Sequence, residues 1–214
     1  MLKNIKAVLF DLDGTLVDSM GLWRDVDIVY LESKGCSMPE GLQQDIEGLS
    51  MRETAVYFKK RFGMEDSIDE MMETWNDMAR IEYEEKVPMK PGCRVFLEKL
   101  RSIPVKTAIV TSNSRELVEA VYKNHPFADF IDLVVTANEV EHGKPFPDVY
   151  LKAAEKLGIH PEDCLVFEDI IAGIQAGQSA GMKVCTIYDD YSADVDDEKR
   201  ELADYYIKDY FELV

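Results

Sequence analysis

The first strong pattern in the sequence is a short apolar run that stops abruptly at a polar segment. Residues 7–10 (Ala-Val-Leu-Phe) are continuously apolar, and Asp-Leu-Asp-Gly-Thr follows at residues 11–15. Such a run is typical of a strand buried on both faces of a parallel sheet. Similar runs, which predict four further strands, lie at residues 106–110, 131–135, 164–167 and 184–188.

Between the first two strands the hydrophobic spacing becomes helical. Trp23, Val26 and Tyr30 fit one helical face, and Ser-x-x-Glu capping boxes begin at Ser50 and Ser67. We therefore expect only helices over residues 17–86. Beyond this insert, strands alternate with helices, which are predicted at residues 92–102, 115–124, 147–157 and 171–180.

This order predicts an α/β fold in which a doubly wound, parallel-sheet core is interrupted by an all-helical domain. The core comprises residues 1–16 and 87–214, and the insert comprises residues 17–86. The glycines Gly173, Gly177 and Gly181 recur at four-residue spacing, which indicates close packing of a helix on the sheet. The acidic stretch 189–198 is predicted to be a solvated loop, and the tyrosine-rich C-terminal segment to pack on the core.

Composition narrows the class of function. The chain has 214 residues, a formal net charge of −18 and 46% hydrophobic residues. The negative charge argues against nucleic-acid and anionic membrane partners. No apolar run reaches the roughly 18 residues of a membrane helix, and no signal peptide or CxxC pair is evident. We expect a cytoplasmic monomer with reduced cysteines.

Polar residues follow the predicted strands where each one ends. The carboxyl ends of parallel strands meet at one edge of a sheet, so these side chains are expected to converge there. In chain order they are Asp11 and Asp13, then Thr111, Ser112 and Asn113, then Lys144, and finally Glu168 and Asp169.

The converging residue types indicate phosphoryl transfer. Clustered carboxylates without His or Cys favour Mg²⁺. Thr111 and the amides after it, at the start of a helix, form a natural phosphate cradle, and Lys144 supplies a positive charge. A metal ion, a cation, oxyanion donors and a spare carboxylate are what this chemistry requires.

Each motif alone has a simpler interpretation. The aspartates at 11 and 13 could form a turn, the polar groups after the other strands could cap helices, and Lys144 could be a surface lysine. A calcium loop is excluded, because Leu16 and Leu22 stand where an EF-hand needs Gly and Glu. The shared position of all four clusters at strand ends favours a site.

Four segments together resemble the motifs of the haloacid dehalogenase superfamily. They are Phe-Asp-Leu-Asp-Gly-Thr-Leu-Val-Asp-Ser at 10–19, Val-Thr-Ser-Asn at 110–113, Gly-Lys-Pro-Phe-Pro-Asp-Val-Tyr at 143–150 and Val-Phe-Glu-Asp at 166–169. The resemblance covers nearly the whole chain. The helical insert is similar to the cap domain of the β-phosphoglucomutase and phosphoglycolate phosphatase-like branch.

The resemblance implies a role for each matching residue. Asp11 would be the nucleophile, and Asp13 would be the general acid and then the base. Asp11, the backbone carbonyl of Asp13, and Asp169 would hold Mg²⁺, with Glu168 acting through a water molecule. The groups expected to bind phosphate are Gly14, Thr15, Thr111, Ser112, Asn113 and Lys144.

The resemblance also separates the family's chemistries. Dehalogenases lack the second aspartate, so Asp13 implies phosphoryl transfer. From the four converging clusters we expect a Mg²⁺-dependent phosphatase of a small phosphorylated metabolite, for example a sugar phosphate, that acts through an aspartyl-phosphate. A β-phosphoglucomutase-type phosphomutase is the alternative. A non-catalytic binding protein is the third class, and the intact motifs oppose it.

The cap holds the specificity candidates Trp23, Arg52 and Trp75. Trp23 stands where relatives usually have a histidine, which weakens the mutase interpretation, because an indole is neither an acid nor a base. Arg52 lies within the segment 48–53, which resembles the cap substrate loop, and would bind an anion there; alternatively, it is a surface helix residue.

Overall fold

In the computed structural model, which describes residues 1–214, the strands form a single parallel sheet. The strands are β1 (Ala7–Phe10), β2 (Lys106–Thr111), β3 (Leu133–Thr136), β4 (Cys164–Glu168), β5 (Lys183–Ile187) and β6 (Tyr205–Ile207). Their order across the sheet is β3-β2-β1-β4-β5-β6. This confirms the predicted fold class and places β1, which carries the first motif, at the centre.

Both faces of β1 are buried, which explains its continuous apolar sequence. Val8 and Phe10 belong to one hydrophobic core, whereas Ala7 and Leu9 belong to the core on the opposite face. Alternate residues of a strand point to opposite faces, so a strand covered on both sides needs apolar residues throughout.

Nine α-helices complete the chain. Five of them lie between β1 and β2, and the first four of these are what we call the cap. They are α1 (Met20–Ser33), α2 (Leu42–Ile46), α3 (Met51–Phe62), α4 (Ile68–Glu85), α5 (Cys93–Arg101), α6 (Arg115–Asn124), α7 (Asp148–Leu157), α8 (Ile171–Ser179) and α9 (Asp196–Leu202). No helix combines the length and apolarity that would be needed to cross a membrane.

The cap has its own aromatic centre and packs on the core through α4 and α6. Trp75 packs edge-on against Tyr30 and Phe58, with ring centroids 5.4 and 5.3 Å away. Both predicted capping boxes are present at Ser50 and Ser67. Each satisfies backbone N–H groups that the first helical turn leaves free, and so marks where α3 and α4 begin.

The two chain segments that connect cap and core run side by side. Val17 pairs with Met89 in an antiparallel bridge, and the Lys90 N–H donates to the Leu16 carbonyl at 2.9 Å. The Lys90 ammonium forms a buried ion pair with Asp189 at 2.8 Å. These contacts tie the cap's attachment to the core. The domain limits at residues 17 and 86 stay a prediction.

Three elements were not predicted from the sequence: the short helix α2, the helix α9 and the edge strand β6. The acidic stretch 189–198 is not the solvated loop that was expected. Asp189 and Ser192 are buried, residues Asp190–Val195 form 3-10 turns, and α9 begins at Asp196. The reason is Lys199, which is fully buried and draws this acidic segment onto the core.

Two of the three spaced glycines do pack closely, as predicted. A Cβ on Gly173 would lie 2.0 Å from the Glu168 carboxyl carbon, and one on Gly177 would lie 2.8 Å from Val184. Gly181 differs: it has open space around it and a φ of +78°, so its role is to end α8 in a left-handed conformation.

Gly173→Ala is expected to lower the free energy of unfolding by about 1–3 kcal/mol, because the added methyl group overlaps the buried Glu168 carboxylate. Gly21→Ala in α1, where an added Cβ meets nothing within 4 Å, is the matched control and should not destabilise the chain. Urea denaturation measures both. Equal stabilities of the two variants would contradict the close packing at Gly173.

Candidate active site

The site lies at the carboxyl ends of β1, β2 and β4, beneath the cap. Phe10 is in register with Ile109 on one side and Phe167 on the other, so the polar residues that follow these strands emerge together. A cavity of about 1060 Å³ opens there. The predicted strand-end residues that line it are Asp11, Asp13, Thr111, Ser112, Asn113, Lys144 and Asp169.

Lys144 is buried between two carboxylates, so it is not a surface lysine. Its Nζ lies 2.5 Å from Asp11 Oδ1 and 2.6 Å from Glu168 Oε1. Burial alone would lower the pKa of Lys144, but the two carboxylates raise it above its usual value. The lysine therefore stays charged and holds Asp11 in place. The Tyr150 hydroxyl donates to the same oxygen of Glu168.

One lysine does not balance the negative charge here. Asp11, Glu168 and Asp169 bring carboxylate oxygens within 4.8 Å of one another. Burial, opposed by Lys144 and reinforced by Glu168 and Asp13, raises the pKa of Asp11 to about 7. The pKa of Asp169 is also raised well above its usual value, by burial and by Asp11 and Glu168. The cluster thus favours binding of a further cation.

The donor set fits Mg²⁺. All its ligand atoms are carboxylate oxygens, which hard divalent cations prefer. Asp169 Oδ2 is buried and has no hydrogen-bond partner, so it is free to bind a metal ion. The other groups of Asp169 are held by the core: Thr15 donates to Oδ1 at 2.9 Å, and Lys199 donates to the backbone carbonyl at 3.0 Å.

Gly14 and Thr15 lie in a tight turn against Asp169. The Gly14 N–H donates to the Val17 carbonyl at 2.8 Å, because the chain turns tightly here with a φ of +73°. The Thr15 hydroxyl is taken by Asp169. A Cβ on Gly14 would lie 2.0 Å from Asp169 Oδ2, so glycine lets the turn approach that carboxylate. Both residues therefore pack against Asp169, and their role in phosphate binding stays a prediction.

The polar groups after β2 and β4 are not helix caps. Ser114 caps α6, so Thr111–Asn113 precede that helix, and α8 begins after Ile170 without a side-chain cap. Thr111 Oγ1 accepts the Asn113 N–H at 3.0 Å. Ser112 donates to the Gly48 carbonyl of the cap at 3.2 Å, which links the two parts across the cavity.

Asp13 is surrounded by donors, two of which the sequence reasoning missed. Ser19 donates to Oδ1 at 2.5 Å, and Asn113 donates to Oδ2 at 2.5 Å. The Tyr83 hydroxyl, from the end of α4, also donates to Oδ1 and accepts the Trp23 indole N–H at 2.8 Å. Ser19 belongs to the extended first motif, but no spacing in the sequence connects Tyr83 with Asp13.

The three cap candidates have different positions. Trp23 lines the cavity beside Asp13. Trp75 reaches the wall of the cavity from the cap's aromatic centre, and its indole N–H has no partner. Arg52 does not line this cavity: it is exposed and pairs with Asp69 at 2.7 Å. The cap arginine that lines it is Arg24, which helical spacing alone did not distinguish.

A hydrogen-bonded chain on the far wall of the cavity was also missed. The Tyr191 hydroxyl donates to Gln43 Oε1, and Gln43 Nε2 donates to Asp27 Oδ2 at 2.8 Å. Asp27 is 6% exposed, and burial raises its pKa to about 6 despite the Gln43 hydrogen bond. In the sequence, Asp27 is an ordinary polar residue between apolar positions of α1, and nothing in that pattern indicates that it lines the cavity.

The motifs in this geometry match one known family. The family model described as haloacid dehalogenase-like hydrolase matches residues 8–187, which include every strand-end cluster. The chain belongs to the haloacid dehalogenase-like hydrolases. The predicted family is thereby confirmed.

Relatives within these hydrolases include phosphatases. The chain is 31% identical over 180 residues to a phosphorylated carbohydrates phosphatase of Thermotoga maritima, covering 84% of this chain and 83% of the relative. It is 33% identical over 186 residues to hexitol phosphatase A of Escherichia coli, covering 85% and 82%. The fold matches β-phosphoglucomutase from Clostridium difficile with a TM-score of 0.84 at 22% identity, covering 98% and 93%.

Asp27→Asn is expected to stabilise the chain at pH 8. The pKa of Asp27 is higher in the folded chain than in the unfolded chain, so this carboxyl lowers the free energy of unfolding as the pH rises from about 4 to 6. Removing the charge should therefore raise the free energy of unfolding by up to about 3 kcal/mol at pH 8 and by little at pH 4. Urea denaturation at both pH values tests this.

Asp25→Asn is the matched control, because Asp25 lies on the same helix but is exposed. Its substitution should leave stability nearly unchanged at both pH values. An Asp27→Asn variant that is less stable than the wild type at pH 8 would contradict the assigned burial of this charge.

Proposed function

We propose that the chain is a Mg²⁺-dependent phosphatase that hydrolyses a small phosphorylated metabolite, such as a sugar phosphate, through an aspartyl-phosphate. One observation carries this: two carboxylates at the same strand end have different surroundings. Asp11 is held by the Lys144 ammonium, and Asp13 is held by hydroxyl and amide donors. This pairing suits a nucleophile beside an acid–base group.

The first step forms a bond between an Asp11 oxygen and phosphorus and breaks the bond between phosphorus and the leaving oxygen. Asp13 gives its proton to that oxygen, which departs as an alcohol. Lys144 and the Thr111–Asn113 segment offset the charge on the phosphoryl oxygens. A bound Mg²⁺ would be held by Asp11, the Asp13 carbonyl and Asp169, and would supply further charge neutralisation.

The second step reverses the role of Asp13. As a carboxylate it takes a proton from water, whose oxygen attacks phosphorus and breaks the bond to Asp11. Inorganic phosphate leaves, and both carboxylates return to their starting state. Tyr83 and Ser19 keep Asp13 pointed into the cavity during both proton transfers.

The names of the relatives support hydrolysis over isomerisation. Two of them are phosphatases of carbohydrates or hexitols, and the likeness to β-phosphoglucomutase extends only to the fold at this identity. Glu168 contacts Lys144 and Tyr150 directly, which favours a role in holding Lys144 in position. The cytoplasmic location and the monomeric state stay predictions.

Purified protein with MgCl₂ should release phosphate from p-nitrophenyl phosphate and from sugar phosphates, and EDTA should abolish the release reversibly. Asp11→Asn should lose at least about 10³-fold in kcat, since the nucleophile is removed. Asp25→Asn should match the wild type. Activity of Asp11→Asn equal to the wild type, or isomerisation of β-glucose 1-phosphate faster than phosphate release, would refute the proposal.

Tyr83→Phe should lower kcat about tenfold with little change in KM, because it removes a donor that positions Asp13. The loss should be larger for an alkyl phosphate than for p-nitrophenyl phosphate, whose leaving group needs less help from an acid. The control is Tyr205→Phe on the edge strand. An equal loss of kcat for both substrates in the Tyr83→Phe variant would mean that Tyr83 has a purely structural role.

A further inference from the structure

We propose that Lys199, together with Ser192, is a positioning residue for the metal ligand Asp169. The two side chains hold the backbone of Asp169 so that its carboxylate stays beside those of Asp11 and Glu168. In this role Lys199 acts through Asp169 and not on the substrate. The inference rests on the proposed Mg²⁺-dependent function and adds to it two residues that lie outside all four motifs.

Lys199 is buried without a close carboxylate partner. The residue is 0% exposed, and Asp196 Oδ1, at 3.8 Å, is the one carboxylate oxygen that forms an ion pair with its Nζ. The ammonium donates to the Ser192 hydroxyl at 2.8 Å and to the carbonyls of Asp169 and Ile187 at 3.0 and 3.5 Å. These three acceptors match the three donors of a lysine. Burying an ammonium is costly, which favours a specific role for these contacts.

Two donors converge on the Asp169 carbonyl. Ser192 Oγ donates to it at 3.0 Å and accepts from Lys199 at 2.8 Å. The carbonyl therefore accepts from a hydroxyl and an ammonium at once, which uses both of its lone pairs. Lys199 and Ser192 are both buried, so these bonds are shielded from water. Together they fix the chain directly after β4.

The other groups of Asp169 are also held, except for one oxygen. Its N–H donates to Glu168 Oε2 at 3.3 Å, and Thr15 donates to its Oδ1 at 2.9 Å. The Thr15 backbone is held in turn, because the Tyr210 hydroxyl donates to its carbonyl at 3.2 Å. Oδ2 is buried and has no hydrogen-bond partner. Outer contacts of this kind orient a metal ligand and adjust its affinity for the ion.

A simpler interpretation is that Lys199 only attaches the acidic stretch 189–198 to the core. That stretch has a second anchor, however, because the buried Asp189 pairs with Lys90 at 2.8 Å. Lys90 is thus another buried lysine that holds the same stretch, and its ammonium donates to Asp189 and not to Asp169. It is the matched control, because its loss loosens the stretch without removing a contact to the metal ligand.

The sign of the effect separates positioning from charge. The ammonium of Lys199 repels a cation bound at Asp169, so removal of this charge alone would strengthen metal binding. Loss of positioning weakens metal binding instead. Ser192→Ala changes no charge and therefore isolates positioning. It is also a smaller change to the core than Lys199→Met, so it carries the test if Lys199→Met does not fold.

The test is Mn²⁺ binding to the purified, metal-free chain, measured by electron paramagnetic resonance, because Mn²⁺ prefers the same oxygen ligands as Mg²⁺. Lys199→Met should raise the Kd for Mn²⁺ at least about tenfold, and Ser192→Ala at least about threefold. Lys90→Met should not raise it. Asp169→Asn should abolish the binding, which assigns the ion to this site. Urea denaturation shows that each variant is folded and measures its stability.

The outcomes separate this inference from the proposed function. Lys199→Met or Ser192→Ala binding Mn²⁺ as tightly as the wild type, or more tightly, overturns the positioning role alone. Lys90→Met weakening the binding as much as Lys199→Met does the same, because the effect would then belong to the loosened stretch. A wild type that binds no Mn²⁺ overturns both proposals. Mn²⁺ binding without phosphate release from any substrate refutes the phosphatase proposal and leaves the positioning result intact.

Discussion

The buried ammonium of Lys144, between Asp11 and Glu168, is the contact on which the site depends. Without it, three carboxylates would share a buried space with no ammonium paired to any of them. Even with it, burial and the neighbouring carboxylates raise the pKa values of Asp11 and Asp169. A divalent cation bound to Asp169 Oδ2, which has no hydrogen-bond partner, would offset this concentration of negative charge.

The core of the site could be predicted because it follows from strand order. Once β1, β2 and β4 are recognised as buried parallel strands, Asp11, Thr111 and Asp169 must emerge at the same edge. The edge strand β6 was missed because it is three residues long and half exposed, so its pattern carries little signal. Its existence depends on pairing with β5, which only the folded chain provides.

The cap is less predictable because its contacts to the site depend on how helices pack. Arg52 lies within a recognisable segment yet pairs with Asp69 on the surface, whereas Arg24 and Asp27 line the cavity from α1. Tyr83 reaches Asp13 across seventy residues of sequence. Which of these side chains faces the cavity depends on how each helix is rotated about its axis, and hydrophobic periodicity alone does not specify that rotation.

The net charge of −18 adds a further constraint, since the site must attract an anion locally against the overall field.

Trapping the phosphorylated enzyme tests the central claim, that Asp11 accepts the phosphoryl group and Asp13 manages the protons, most directly. Acetyl phosphate has a leaving group that needs no proton, so with MgCl₂ it should phosphorylate the Asp13→Asn variant. Hydrolysis would then lack its base, and the phosphoryl group should accumulate. The predicted result after acid quenching and peptide mass spectrometry is one phosphoryl group on Asp11. A phosphoryl group on another residue, or none at all, would contradict the account.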